Sequence, residues 1–227
     1  LQKQYRTAGP RGSKMVEYSR DAVLPEMFAG IDYRKEGFIV GVGADVLTLT
    51  PRTQSTKGEL TYKVSERNVS ASLLAFASYS SEWWKLNAKT IYGQNNVHTL
   101  SLGGYGVTSI DPVTGAYDYV NFNHSTSWVN VVYGKKWQVG LFGGFTKNLG
   151  TNKPLVSSSI TYGMGMDIDK LYNMSVQTDY NIKNFTIGVE YSYSVADYGT
   201  IQTATGKVTN THAADNHRIA ALCNYSF

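Results

Sequence analysis

From Ala214 to Phe227 the side chains change character at every step. His217, Ile219, Ala221, Cys223, Tyr225 and Phe227 fall on one side of an extended chain, and Arg218, Ala220, Leu222, Asn224 and Ser226 on the other. Strand side chains alternate between faces, so this reads as a strand with one apolar and one wetter face. The pattern recurs upstream in segments of about ten to fourteen residues, separated alternately by very short turns and by long polar loops. Repetition of this kind predicts an all-β chain, a transmembrane antiparallel β-barrel.

Composition agrees once averaging is allowed for. Hydrophobic residues make up 42% of 227, and mean hydropathy is negative, as expected when only every second strand residue is apolar. No apolar run approaches the roughly 20 residues of a membrane-spanning helix. Seventeen Tyr and four Trp suit interfacial girdles, because their rings want burial while their polar tips want water or headgroups. The net charge of +4 is scattered, which gives nucleic-acid binding no support. Cys223 is the only cysteine, so no internal disulfide or Cys-based zinc site can form, and no cofactor is called for.

No linker divides the chain, so residues 22–227 are expected to form one barrel domain, preceded by a segment, 1–21, on the extracellular side. The chain opens without a charged n-region or apolar h-region, which reads as a mature or truncated product.

Four hairpins are legible. Val23, Pro25, Met27, Ala29, Ile31 and Tyr33 form one face of a first strand, with Leu24, Glu26, Phe28, Asp32 and Arg34 opposite. After a turn at Lys35-Glu36-Gly37 come Phe38, Val40, Val42, Ala44 and Val46, with Ile39, Gly41, Gly43, Asp45 and Leu47 opposite. The second hairpin turns near Ser80 to Glu82, the third at Gly134-Lys135 and the fourth at Asn181 to Asn184. The stretches at about 50–66, 93–117, 149–167 and 197–213 read as long loops. Short turns near 36, 81, 134 and 182 mark the periplasmic side and the long loops the extracellular side.

Counting gives about nine strands. Single-chain bacterial barrels usually have an even number, so the chain reads as the C-terminal part of a longer barrel. The alternative is a tenth strand over Val97 to Val107, which would break the alternation of short and long connections.

A soluble sandwich would also alternate, with its apolar face packed inward. Three features favour lipid on that face: its small residues (Ala29, Ala44, Ala71, Ala75, Ala77, Ala88, Ala221), strands longer than the globular mode of about 5–6, and aromatics at its ends. Those aromatics are Tyr33, Phe38, Tyr79, Trp84, Tyr133, Trp137, Tyr180, Phe185 and Phe227.

Several stretches resemble the C-terminal half of trimeric outer-membrane porins of the DcaP-like type. They are residues 9–12 (Gly9 to Gly12), 18–22 with Pro25-Glu26, 41–45 leading to Pro51-Arg52, 92–95 followed by 103–106, 140–150, and the terminal strand with His217-Arg218 and Phe227. The resemblance implies a sixteen-stranded barrel in the bacterial outer membrane of a Gram-negative cell. It also implies assembly as a homotrimer that passes small hydrophilic solutes, anions among them. Such porins also carry N-terminal strands and a helical periplasmic extension that this sequence does not contain. The C-terminal aromatic resembles the signal read by the outer-membrane assembly machinery.

The expected pore lining comprises Glu26, Asp32, Arg34, Asp45, Lys85, Lys89, Lys136, Glu190 and Arg218. Lys85 and Lys89, with Lys136, Arg34 and Arg218, could attract anions, or each could simply pair with a neighbouring acid. The 93–117 stretch could fold into the channel and narrow it, offering Asn95, Asn96, His98 and Tyr105 as polar contacts, or remain an ordinary extracellular loop. Asp111 and Asp118 are oxygen donors that could hold a hard cation. No catalytic motif occurs, and Ser125 beside His124 is an adjacency only, so no enzyme activity is expected. The rival functions are a non-conducting surface barrel whose loops bind a partner, and a soluble all-β binding domain.

Overall fold

The computed structural model describes residues 24–99 and 101–225, with the side chains of His98 and Thr99 left out. Residues 1–21, expected on the extracellular side, and Phe227 lie outside the described residues. Thirteen strands follow one another: β1 Met27–Lys35, β2 Phe38–Leu49, β3 Gln54–Lys57, β4 Leu60–Lys63, β5 Asn68–Ser80, β6 Trp84–Gln94, β7 Gly103–Ile110, β8 Tyr117–Gly134, β9 Trp137–Thr151, β10 Thr161–Met164, β11 Ile168–Ile182, β12 Phe185–Ile201 and β13 Val208–Tyr225. A single 3-10 turn, Asn96–Thr99, is the only helical element among the described residues.

Nine of these strands pair in the order β1-β2-β5-β6-β8-β9-β11-β12-β13, each antiparallel to the next. This is the all-β antiparallel barrel class expected from the alternation, as a sheet that stays open between β1 and β13 among the described residues. The four tight connections fall at 36–37, 81–83, 135–136 and 183–184. At the first, Glu36 and Gly37 both have positive φ, 48° and 85°, the geometry of a two-residue hairpin turn matched to strand twist. Gly37 is required there, since a Cβ would sit 2.3 Å from the Ser80 carbonyl oxygen.

The loop ends depart from expectation. Residues 50–66 contain the β3–β4 hairpin, and 93–117 contain β7. β7 lies off the nine-strand path and pairs with β8 and β10, so it is not a tenth wall strand. β12 runs on to Ile201 and β13 begins at Val208, which shrinks the expected 197–213 loop to residues 202–207. Pairing outlasts the sequence pattern because backbone groups still seek partners where neither face has to be apolar.

Packed apolar residues gather at the loop end. One buried cluster joins Leu47 and Leu49 with Tyr105, Val107 and Tyr162, and a second joins Val120, Phe122, Leu155 and Met166. The strand middles are the reverse, with Ile31 74%, Leu73 62% and Ile219 77% exposed. Every residue of β1 is exposed. Among the described residues no second layer covers the apolar face, as a sandwich would require.

Candidate solute-facing wall

Register assigns each side chain to a face. Three neighbouring rows cross the sheet on the polar side. The first is Lys85, Val132, Gly140, Gln177 and Glu190; the second is Asn87, Asn130, Phe142, Ser175, Ser192 and Arg218; the third is Lys89, Trp128, Gly144, Asn173, Ser194 and Asn216. Side chains from six consecutive wall strands in these rows enclose a concavity of about 820 Å³. Residues facing this side, such as Gln138, Gly140 and Phe142, are half-buried while Trp137, Val139 and Leu141 on the other side are exposed, so the sheet curls toward its polar face and the apolar face is the convex one.

Two of the expected cations are neutralised on this wall. Arg218 Nη2 lies 2.9 Å from Glu190 Oε1, which also accepts a hydrogen bond from the Ser192 hydroxyl at 2.9 Å. Arg34 Nε lies 2.6 Å from Asp32 Oδ2, two residues back on the same face of β1. Lys85 and Lys89 are in no ion pair among the described residues. Lys85 borders the large concavity. Lys89 stands opposite Phe76 and Trp128 and borders a second concavity of about 420 Å³ with Glu26 and Asp45.

Lys136 is a correction. It sits in the turn between β8 and β9, with its Nζ 5.1 Å from the ring centre of Tyr180 on the apolar face, so it is not on the polar wall. A turn residue escapes the two-residue period that fixes its neighbours.

Residues from the 93–117 stretch reach the concave face. Asn96 Oδ1 accepts a hydrogen bond from the Ser72 hydroxyl at 2.7 Å and borders the smaller concavity. Asn95 is buried. His98 belongs to the 3-10 turn, and its side chain lies outside the described positions. Tyr105 corrects the expectation of a polar solute contact. It is wholly buried, stacked on Tyr162 at 4.9 Å and edge-on to Tyr119 at 5.3 Å, over the concave-face residues Leu47 and Leu49.

The long loops interlock into a cap. Arg52 Nε donates to both Glu66 oxygens, at 3.1 and 3.0 Å, and Nη2 donates to the Gly115 carbonyl at 2.9 Å. The Arg52 guanidinium carbon lies 3.5 Å from the ring centre of Tyr117. Glu66 also accepts from the Tyr117 amide at 2.7 Å and from the Tyr119 hydroxyl. Burial opposes the Arg52 charge, but the hydrogen bonds and charge of Glu66 outweigh it and hold the guanidinium above its ordinary pKa. Further links run from Leu155 N to Thr203 O at 2.7 Å and from Val156 N to Val107 O at 2.8 Å. Sequence reasoning missed this cap, since Arg52 and Glu66 lie in stretches with no period to read.

Asp111 and Asp118 do not converge on a cation. Asp111 Oδ1 accepts from the Thr114 amide at 2.6 Å, the Thr114 hydroxyl at 2.8 Å and the Val113 amide at 2.9 Å. Those bonds, the Thr114 amide first, hold its carboxyl below the ordinary range. Asp118 instead accepts from Ser109 at 2.6 Å. Ser125 and His124, adjacent on β8, fall on opposite faces and cannot act together.

The convex face carries an aromatic at the short-turn end of every wall strand: Tyr33, Phe38, Tyr79, Trp84, Tyr133, Trp137, Tyr180, Phe185 and Tyr225. Neighbours touch, as in Phe38–Tyr79 at 4.4 Å, Trp84–Tyr133 at 4.5 Å and Trp137–Tyr180 at 4.8 Å between ring centres. Phe145 and Tyr172, 4.9 Å apart, belong to a second level nearer the loops. Between Trp137 and Phe145 lies about 27 Å of strand, or about 20 Å of height at a tilt of ~40°, near the ~25 Å apolar band of membrane barrels. Among the described residues, no Asp, Glu, Lys or Arg occupies the convex face between these levels.

No family model matches the chain, and no curated protein matches it. Among solved structures it is similar to OmpT, an outer membrane protein of Vibrio cholerae folded in vitro, at 9% identity and a TM-score of 0.44. The match covers 87% of this chain and 63% of that one, so the chain spans less than two thirds of that protein's length.

Proposed function

We propose that this chain forms the wall of an outer-membrane pore for the passive diffusion of small hydrophilic solutes, anions among them. One observation carries the reading: the distribution of polarity is inverted relative to a water-soluble fold. Soluble monomers rarely expose contiguous apolar patches beyond roughly a few hundred Å², whereas here an exposed apolar face crosses all nine wall strands. The amides, hydroxyls and charges line the concave side instead. Lipid outside and water inside satisfies both faces at once.

Within that wall, Lys85 and Lys89 are the cations left to attract anions, since Arg34 and Arg218 spend their charge on Asp32 and Glu190. A homotrimer of DcaP-like type belongs to this proposal, resting on the sequence resemblance. A non-conducting surface barrel is the second reading, favoured by the interlocked cap over the loop end of β2, β5 and β8. Planar bilayers separate the two. Stepwise conductance after addition of the purified protein is the expected result, and intact insertion with no conductance would leave the surface barrel.

A further inference from the structure

On the convex face one row runs Val129, Gly143, Met174, Tyr193 and His217 across β8, β9, β11, β12 and β13. Gly143 leaves a gap in it, for a Cβ built there would meet nothing nearer than Val129 at 4.0 Å. The gap opens a trough of about 760 Å³. Val129, Val131 and Leu141 line it from β8 and β9, and Met174, Val176 and Tyr191 from β11 and β12.

At its β13 end the trough turns polar. The Tyr191 hydroxyl lies 2.7 Å from His217 Nδ1, and His217 Nε2 lies 3.2 Å from Asp215 Oδ2. With both ring nitrogens engaged, this end still offers acceptors, namely the Tyr191 oxygen lone pairs and the half-exposed Asp215 carboxylate. Asp215 stands in the same row as Phe145, Tyr172 and Val195. Apolar trough and polar end therefore meet at the upper aromatic level, where hydrocarbon gives way to headgroups.

We infer that the trough seats one acyl chain of a bilayer lipid whose headgroup bears hydrogen-bond donors, hydroxyl or ammonium, directed at Asp215 and Tyr191. The inference rests on the lipid-facing reading of the convex face. A flexible chain fills an open apolar trough without a polar rim to fix it. The trough has polar groups at one end only, at the upper aromatic level, which matches a single headgroup on an apolar tail.

The test is native mass spectrometry of the full chain extracted from its membrane in mild detergent. The wild type is expected to retain one lipid adduct. Gly143→Phe, and Gly143→Leu as a smaller filler, should lower its occupancy about tenfold, while Ala221→Phe, elsewhere on the same face, should leave it unchanged. Asp215→Asn with Tyr191→Phe should broaden the headgroups recovered. Equal lipid retention in both Gly143 variants would overturn the seat, as would loss of an oligomer mass with no change in bound lipid, which would make a second copy the occupant. Failure of the underlying reading is distinct: the chain would then stay dispersed in water without detergent.

Discussion

At the scale of single residues, what matters is which neighbour each side chain meets across the sheet. Lys85 and Lys89 have no ionic partner among the described residues, so K85E with K89E should move the reversal potential in a salt gradient toward cation preference. An unchanged potential would remove the pair from selectivity. Arg218→Ala should shift it the same way but less, because it removes one positive charge and leaves Glu190 unpaired, whereas the double variant reverses two. Gly37 is constrained by backbone, with φ of 85° and the Ser80 carbonyl 2.3 Å from where a Cβ would stand. Gly37→Ala should therefore cost about 1–3 kcal/mol, seen as an earlier midpoint in urea unfolding from detergent. The alternation revealed which side of the wall most of these residues occupy. It could not fix which acid Arg218 meets, because Glu190 and Arg218 are brought together only by the register of β12 on β13, whereas Asp32 and Arg34 stand two residues apart on one face of β1.

At the scale of elements, the wall strands and the cap answer to different physics. A strand middle is set by two solvents, one for each face, so a charge on the wrong face should be costly. Val176→Arg on the convex side should lose about 2–4 kcal/mol of stability in lipid, whereas Ser175→Arg, its neighbour on the concave side, should be tolerated. Equal losses in urea titrations of vesicle-inserted protein would mean the faces are misassigned. The cap is held by specific contacts, above all Arg52 and Glu66, whose side chains are 21% and 2% exposed. Removing one partner strands the other charge, at a cost of about 3–5 kcal/mol. Glu66→Gln should thus speed tryptic cleavage at Lys57 and Lys63 in the β3–β4 hairpin, with the wall strands still protected.

At the scale of the whole molecule, β1 and β13 each have one partner and an open edge among the described residues. Both run from the loop end to the turn end, so joining them directly would make a parallel pair in an antiparallel sheet. A bilayer tolerates no unpaired backbone at its core. In the membrane-assembled protein the amides of β1 and β13 should therefore exchange hydrogen as slowly as those of β9, their edges being met by antiparallel strands. Fast exchange along β13 in intact vesicles would contradict a membrane-embedded wall. Conductance belongs to this scale too, since it depends on the enclosed lumen and not on any one strand.

The nine wall strands, their four tight turns and the face on which Glu26, Asp32, Asp45, Lys85, Lys89, Glu190 and Arg218 stand are legible in the order of residues alone. That is so because a strand's period of two is local, written wherever the two faces meet different surroundings. The position of Lys136 over Tyr180, the burial of Tyr105, the Arg52–Glu66 cap and the trough at Gly143 emerge only once the chain has folded. Each depends on pairing between segments far apart in the chain, or lies where both faces meet the same surroundings and no period is imposed.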